Sequence, residues 1–292
     1  MSALLGAMEA GGTKFVCAAS KRGEILAQTR ISTDAPEVTL AAARQFFETV
    51  IAEHGELSAL GIAAFGPLDL RNGSPTYGHL LATPKHGWAG TDLVAPFARR
   101  FGCAVSIDTD VNAAAIAETS QGAARGCRTA VYVTVGTGIG GGVVSSGRPV
   151  HGLMHPELGH VRIPHDLQRD PYGGSCPYHG DCFEGLACGP AIQQRWGVPG
   201  GELPDDHPAW ALEADYLASG MVALACILSP HKIVLSGGVG RRPGMPEAVA
   251  TRLEELLADY MPSPQIVAPV LGDRAGVLGA LALAMSTAYS AT

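Results

Sequence analysis

Ala130-Val131-Tyr132-Val133-Thr134-Val135 runs straight into Gly136-Thr137-Gly138-Ile139-Gly140-Gly141-Gly142, and Val143-Val144-Ser145 follows. The β-branched run predicts a strand, and Val143–Ser145 predicts its return partner. Neither a G-x-x-x-x-G-K-[ST] loop nor a dinucleotide fingerprint is present, because a fingerprint opens a helix and here the chain continues as strand. Each glycine costs roughly 0.5–1 kcal/mol of chain entropy relative to alanine. A sequence that keeps five in seven residues keeps them where backbone must touch a ligand; a bland turn is the alternative.

Working outward, the same pattern occurs near residue 12. Leu5–Met8 and Phe15–Ala19 predict two strands around Glu9-Ala10-Gly11-Gly12-Thr13-Lys14. A Gly-Gly turn exposes N–H groups that can wrap a phosphate, with Thr13 and Lys14 adding a hydroxyl and a positive charge; Gly-Gly is also an ordinary hairpin dipeptide. Two related hairpins, one per half, predict two similarly built domains facing each other, with a boundary near Ala115. Strands are expected at Ile25–Ile31, Leu60–Ala64, Val105–Ile107 and Ile233–Leu235. Helices are expected at Leu40–Glu53, Leu93–Phe101, Ala113–Glu118, Ala214–Leu228 and Ala275–Met285.

Three further clusters carry polar chemistry. Asp108-Thr109-Asp110-Val111-Asn112 joins a strand to an alanine-rich helix, which puts carboxylates at the mouth of an α/β sheet. Asp110 or Asn112 could instead cap the helix. Cys176-Pro177-Tyr178-His179-Gly180-Asp181-Cys182 has close ligand spacing, and a histidine upstream, His160, completes a Cys₂His₂ set for tetrahedral zinc. The intervening Pro164–Ser175, rich in Pro, Gly and Asp, is poor at folding unaided, so a metal staple makes physical sense. Ser236-Gly237-Gly238-Val239-Gly240 follows an apolar strand and would let a nucleoside lie against backbone, a weak signal alone.

The chain of 292 residues fits about two domains. Its 47% hydrophobic content supplies real cores, and 38 glycines in clusters lean toward a phosphate-handling α/β enzyme. A formal charge of −7 with no Lys/Arg-rich run argues against nucleic acid as a partner. The start lacks the charged and apolar regions of a signal peptide, and the apolar run Met221–Leu228 is far short of the about 20 residues that span a bilayer. Seven scattered cysteines fit a reducing compartment, so a cytoplasmic protein is expected.

Taken in order, Glu9–Lys14, Gly61–Asp69, Thr83-Pro84-Lys85, Gly87-Trp88, Asp108–Asn112, Gly136–Gly142, Glu157–His160, Cys176–Glu184 and Ser236–Val239 resemble the ROK family of sugar kinases and repressors, most closely its bacterial fructokinase branch. The resemblance runs from Gly6 to about Gly279. It implies a two-domain actin-like, ribonuclease H-like fold of the hexokinase type, with sugar and ATP in a cleft between domains. Residues 1–115 would form the N-terminal domain, completed by a C-terminal helix at 276–292. Residues 116–275 would form the second, with a zinc-binding insertion at 155–185.

The resemblance also implies roles. Asp110 takes the proton from the sugar hydroxyl. Glu157, His160 and Glu184 hold the sugar, with Thr109, Gly66 and Pro67 beside them. Gly11, Gly12, Thr13, Lys14, Gly136, Thr137 and Gly138 form phosphate loops. Pro190, Gly237 and Gly238 line the adenosine site. His160, Cys176, His179 and Cys182 hold structural Zn²⁺, and Mg²⁺ accompanies ATP near Glu9 or Asp110. A homodimer is implied, as are fructose and ATP as substrates. Three departures stand out. Glu9 replaces the more usual Asp, and Thr109 replaces the Asn of glucokinases, which favours fructose. His179 replaces a thiolate with spacing one residue tighter. A repressor would carry a helix-turn-helix before the first glycine turn, and eight residues precede Glu9 here.

Overall fold

The computed structural model describes residues 3–83 and 85–290. Pro84 of the Thr83-Pro84-Lys85 segment, and residues 1–2 and 291–292 of the expected domain spans, lie outside them. The chain divides into two compact units: Met1–Ala117 with Val150–His155 and Leu271–Thr292, and Glu118–Pro149 with Pro156–Val270.

In the first unit, β1 (Leu4–Ala10), β2 (Lys14–Lys21), β3 (Glu24–Ser32), helix α1 (Pro36–His54), β4 (Leu57–Ala64), α2 (Ala95–Phe101), β5 (Ala104–Thr109) and the start of α3 (Asp110–Gln121) follow in order. The sheet order is β3-β2-β1-β4-β5; β1 and β2 pair antiparallel, while β1, β4 and β5 run parallel. The central strands are buried on both faces, which is why they read as near-continuous apolar runs. Period-2 alternation sends Met8, Ala10, Phe15, Cys17, Leu60 and Ile62 to one cluster with Phe47, Trp88 and Phe97. Ala7, Val16, Ala18 and Ala63 point to the other face, against Ala113, Val277 and Ala280.

The second unit holds β6 (Thr129–Val135), β7 (Ile139–Ser145), β8 (Arg148–Pro149), α4 (Phe183–Ala187), α5 (Gly189–Trp196), α6 (Ala209–Leu228), β9 (Lys232–Ser236), α7 (Gly237–Gly240), α8 (Met245–Leu257) and β10 (Gln265–Val267). Its sheet order is β10-β9-β6-β7-β8. With β6 standing for β1, this is the strand order of the first unit, with the same antiparallel hairpin and the same parallel neighbour. Helix α6 is 20 residues long with hydropathy 1.5, long and apolar enough to span a bilayer; half of it is buried, and it packs on α8 and α4. The last helix, α9 (Ala275–Ser290), returns to the first unit and packs on β4, β1 and β5.

Three kinds of departure from the sequence reading bear on the packing. Strand β7 begins at Ile139, four residues before the expected Val143, so Gly140–Gly142 pair in the ladder with Thr134, Val133 and Tyr132. The reason is close packing: a Cβ at Gly141 would overlap Leu158, and one at Gly159 would overlap the Ile139 carbonyl. Part of the glycine run therefore serves internal contact rather than a ligand. Second, Val150–His155 groups with the first unit rather than the second. Two histidines hold it there, His151 on Asp108 and His155 on the Leu68 amide. Third, α4, α5, α7, α8, β8 and β10 have no counterpart in the sequence reading, although Met245, Val249, Leu253 and Leu257 of α8 recur at a four-residue spacing.

Candidate active site

The first glycine turn joins β1 to β2. Gly11 N–H donates to the Lys14 carbonyl (3.0 Å), and Thr33 Oγ1 donates to the Gly11 carbonyl (2.8 Å). A Cβ at Gly11 would sit 2.8 Å from the Lys14 oxygen, so the turn demands glycine there; Gly12 faces open space. Thr13 and Lys14 are exposed. The turn is therefore pinned from behind and open in front, as a phosphate cradle requires.

At the end of β5 the chain enters α3 through Asp108–Asn112. Thr109 Oγ1 accepts the Asn112 N–H (3.1 Å), so Thr109 caps the helix. This settles the capping question against Asp110 and Asn112. It also commits an oxygen lone pair of Thr109, which is buried, while its hydroxyl proton stays available to donate. Asp110 is the first residue of the helix and half-buried, its Oδ1 accepting the Val111 N–H (2.9 Å). Beneath it, buried Asp108 accepts from Thr109 N (2.8 Å) and Asn112 Nδ2 (2.7 Å). Asn112 Oδ1 is buried without a hydrogen-bond partner among the described residues.

Glu9, near the end of β1, stands close enough to Asp110 to feel its charge. Burial first, then the Asp110 charge, push its carboxyl up to about 7, against the smaller opposing pull of Lys14. A Cβ at Gly276 would collide with the Glu9 carboxyl, so the start of α9 is bare to admit it. Gly66 and Pro67, joined by a cis bond, are half-buried in the same unit. His155 Nε2 accepts the Leu68 N–H just beyond (3.1 Å).

In the second unit, the loop Gly136–Gly138 links β6 to β7. Gly136 N–H donates to the Gly138 carbonyl (2.9 Å), and Gly189 N–H donates to the Gly136 carbonyl (2.7 Å), tying the start of α5 to the loop. Gly237 has φ +84 and a Cβ there would overlap the Val135 backbone, so only glycine fits. Gly136, Thr137, Pro190 and Gly237 thus share one corner, with Thr137 and Gly238 exposed on it.

Glu184, on α4, accepts the Ile139 N–H (2.9 Å), and Gly138 is bare where Glu184 Oε2 approaches. Glu157 precedes the 3₁₀ turn Leu158–His160, which its carbonyl closes through His160 N–H (3.0 Å). Glu157 is at the surface, yet partial desolvation of its carboxyl and then the Glu184 charge raise it above the usual carboxylate range. His160, Cys176, His179 and Cys182 bring their donor atoms within 4.8 Å of one another. His160 Nδ1 lies 3.7 Å from both Cys176 Sγ and Cys182 Sγ and 3.3 Å from His179 Nδ1. A tetrahedral zinc with bonds of about 2.3 Å to sulfur and about 2.0–2.1 Å to nitrogen has N···S and N···N edges of about 3.6 and 3.3 Å. The donor set fits that ion. Among the described residues the seven cysteines form no disulfide.

Sequence reasoning missed His151, whose Nε2 lies 3.0 Å from Asp108 Oδ2, and the orphan Asn112 Oδ1. The available signal was a pair of histidines four residues apart, His151 and His155, just upstream of Glu157.

The family model that matches is that of the ROK family, over residues 5–287. A fructokinase of Zymomonas mobilis is 45% identical, the match covering 97% of this chain and 97% of that one. A putative fructokinase of Bacillus subtilis is 41% identical over 96% and 95%. The crystal structure of the ROK hexokinase from Thermus thermophilus superposes with a TM-score of 0.80 at 28% identity, covering 99% of this chain and 100% of that one.

Proposed function

The chain belongs to the ROK family, with the two-domain actin-like α/β fold of its sugar kinases, and from that premise we propose that it transfers the terminal phosphoryl group of ATP to the 6-hydroxyl of fructose, with Asp110 as general base. The observation that carries the reading is the full-length likeness to fructokinases. The geometry supports it: a half-buried carboxylate heads a helix, a pinned glycine turn lies in the same unit, and a glycine loop lies in the other.

Phosphoryl transfer asks a protein for positioning and charge stabilisation more than covalent chemistry. Asp110 accepts the sugar proton as the oxygen attacks. Gly12, Thr13 and Lys14, with Thr137 and Gly138, offer N–H groups and a cation to the phosphates, Gly136 closing the second loop through its own N–H, and Pro190, Gly237 and Gly238 receive the adenosine. Glu157, Glu184 and His160 hold the sugar hydroxyls, with Thr109, Gly66 and Pro67 completing the sugar's surroundings. The paired carboxylates of Glu9 and Asp110 are oxygen donors that fit Mg²⁺, which when bound neutralises phosphate charge. When bound, zinc occupies four protein ligands and supplies no chemistry; it staples the segment that carries the sugar contacts. Ligation through Nδ1 leaves His160 Nε2–H as a donor toward a hydroxyl. The unpaired cysteines support a reducing, cytoplasmic setting, and the working form is a homodimer.

The test is ADP release across fructose, mannose, glucose and an amino sugar with ATP and Mg²⁺. Fructose is expected to give the highest kcat/KM; a clear preference for another hexose transfers the assignment to that sugar. Asp110→Asn is expected to lower kcat by about 10²–10⁴ while fructose binding persists. Activity within tenfold of wild type removes Asp110 as the base.

A further inference from the structure

We propose that His151 is a positioning residue for the phosphoryl transfer, acting on Asp110 through Asp108 and Asn112; this rests on the reading of Asp110 above. Asp108 and Asn112 flank Asp110 by two residues on either side. The Asp108 side chain is 2% exposed, and its oxygens accept Thr109 N–H, Asn112 Nδ2 and His151 Nε2, the last at 3.0 and 3.2 Å. A buried carboxylate is tolerated when it is hydrogen-bonded and its charge is met. His151 meets it. The pairing also moves the imidazole: the hydrogen bond to Asp108 raises His151 above the ordinary histidine value.

Apolar packing contributes little to the segment carrying His151. Leu153 is 85% exposed and Met154 is 38% exposed, so apolar burial does not anchor Val150–His155. Its two ends are fixed instead by imidazoles, His151 on the corner that presents Asp110 and His155 on the amide that follows the cis Gly66-Pro67 bond. One short strap therefore braces both parts of the first unit assigned to the sugar. Removing His151 leaves Asp108 buried with one donor fewer and lets the strand-to-helix corner shift. Displacements well under 1 Å matter to a general base, and about 1 Å can cost about a hundredfold.

The experiment compares His151→Ala and His151→Gln with wild type, because the glutamine amide can place a donor where Nε2 stands. His151→Ala is expected to lower kcat at least tenfold on the best hexose with KM for that sugar within twofold, and His151→Gln to recover most of the loss. Unchanged kcat in His151→Ala overturns the proposal, as does a loss shared by kcat, KM and thermal stability that glutamine does not repair. An NMR titration of the His151 ring in wild type and Asp108→Asn needs no turnover. A midpoint that drops in Asp108→Asn supports the pairing, and identical midpoints overturn it. A wild type that phosphorylates no hexose defeats the functional reading alone, and the titration still decides the His151–Asp108 link.

Discussion

Glu9 shows how one position departs from its neighbours' chemistry. A carboxyl that titrates near 7 in the folded protein binds its proton more tightly than in the unfolded chain. The sign follows: its protonated form stabilises the fold fully at pH values below the ordinary carboxyl value of 4.5, and that contribution is lost as pH rises through 7. We expect the apo protein's Tm to fall between pH 5 and 8, with Glu9→Gln flattening that part of the slope; equal slopes in the two proteins refute the assignment. With Mg²⁺ held by Glu9 as proposed, the same proton would compete with the ion, so apparent Mg²⁺ affinity should rise over this window in wild type and lose that pH dependence in Glu9→Gln. None of this is legible in the sequence. Glu9 reads there as a longer aspartate, whereas its shift comes from burial and from Asp110, brought beside it by the register of β1 with β4 and β5.

At the scale of elements, glycine divides into two uses that look alike in a sequence. Gly61, on β4, lies under the carbonyl of Ala280 on α9, and Gly279 lies on Ala113. These let a helix of small residues settle onto the sheet and against α3. Gly12 meets nothing within 4 Å and projects from the front of its turn. Gly61→Ala should therefore cost about 1–3 kcal/mol and lower Tm by several degrees, because backbone on a packed helix cannot yield. Gly12→Ala should leave Tm unchanged and raise the KM for ATP. A reversed pattern, with Gly12 structural and Gly61 silent, contradicts the cradle. The hairpins, α1 and the Asp108–Asn112 corner were visible from period and turn chemistry. The cap was not, since Asp, Thr and Asn all cap well and backbone geometry chose Thr109.

For the whole molecule, the second unit's irregular stretch is the vulnerable part. From Pro164 to Ser175 regular structure is absent, and a buried pairing of Asp170 with Arg195, supported by Tyr216, is its main polar anchor. Under the proposed zinc reading, ligation by His160, Cys176, His179 and Cys182 would add the second anchor. Chelation, or Cys176→Ser, is expected to release one zinc per chain, lower Tm and reduce turnover together. A metal-free preparation with full activity refutes the staple.

The sequence by itself determined that there are two repeats of one hairpin-led α/β plan, marked the glycine turns and one acidic corner as the candidates for the chemistry, and showed four possible ligands at metal spacing. Those facts are local: turn residues, period and short-range spacing encode them within a few positions. Tertiary structure decided which glycines are packing and which are open, that Thr109 rather than a neighbour caps, that Glu9 holds its proton to about 7, and that His151 reaches back to Asp108. Each of these depends on what a distant segment places within a few ångströms, through burial, charge and steric exclusion, and no local pattern carries that information.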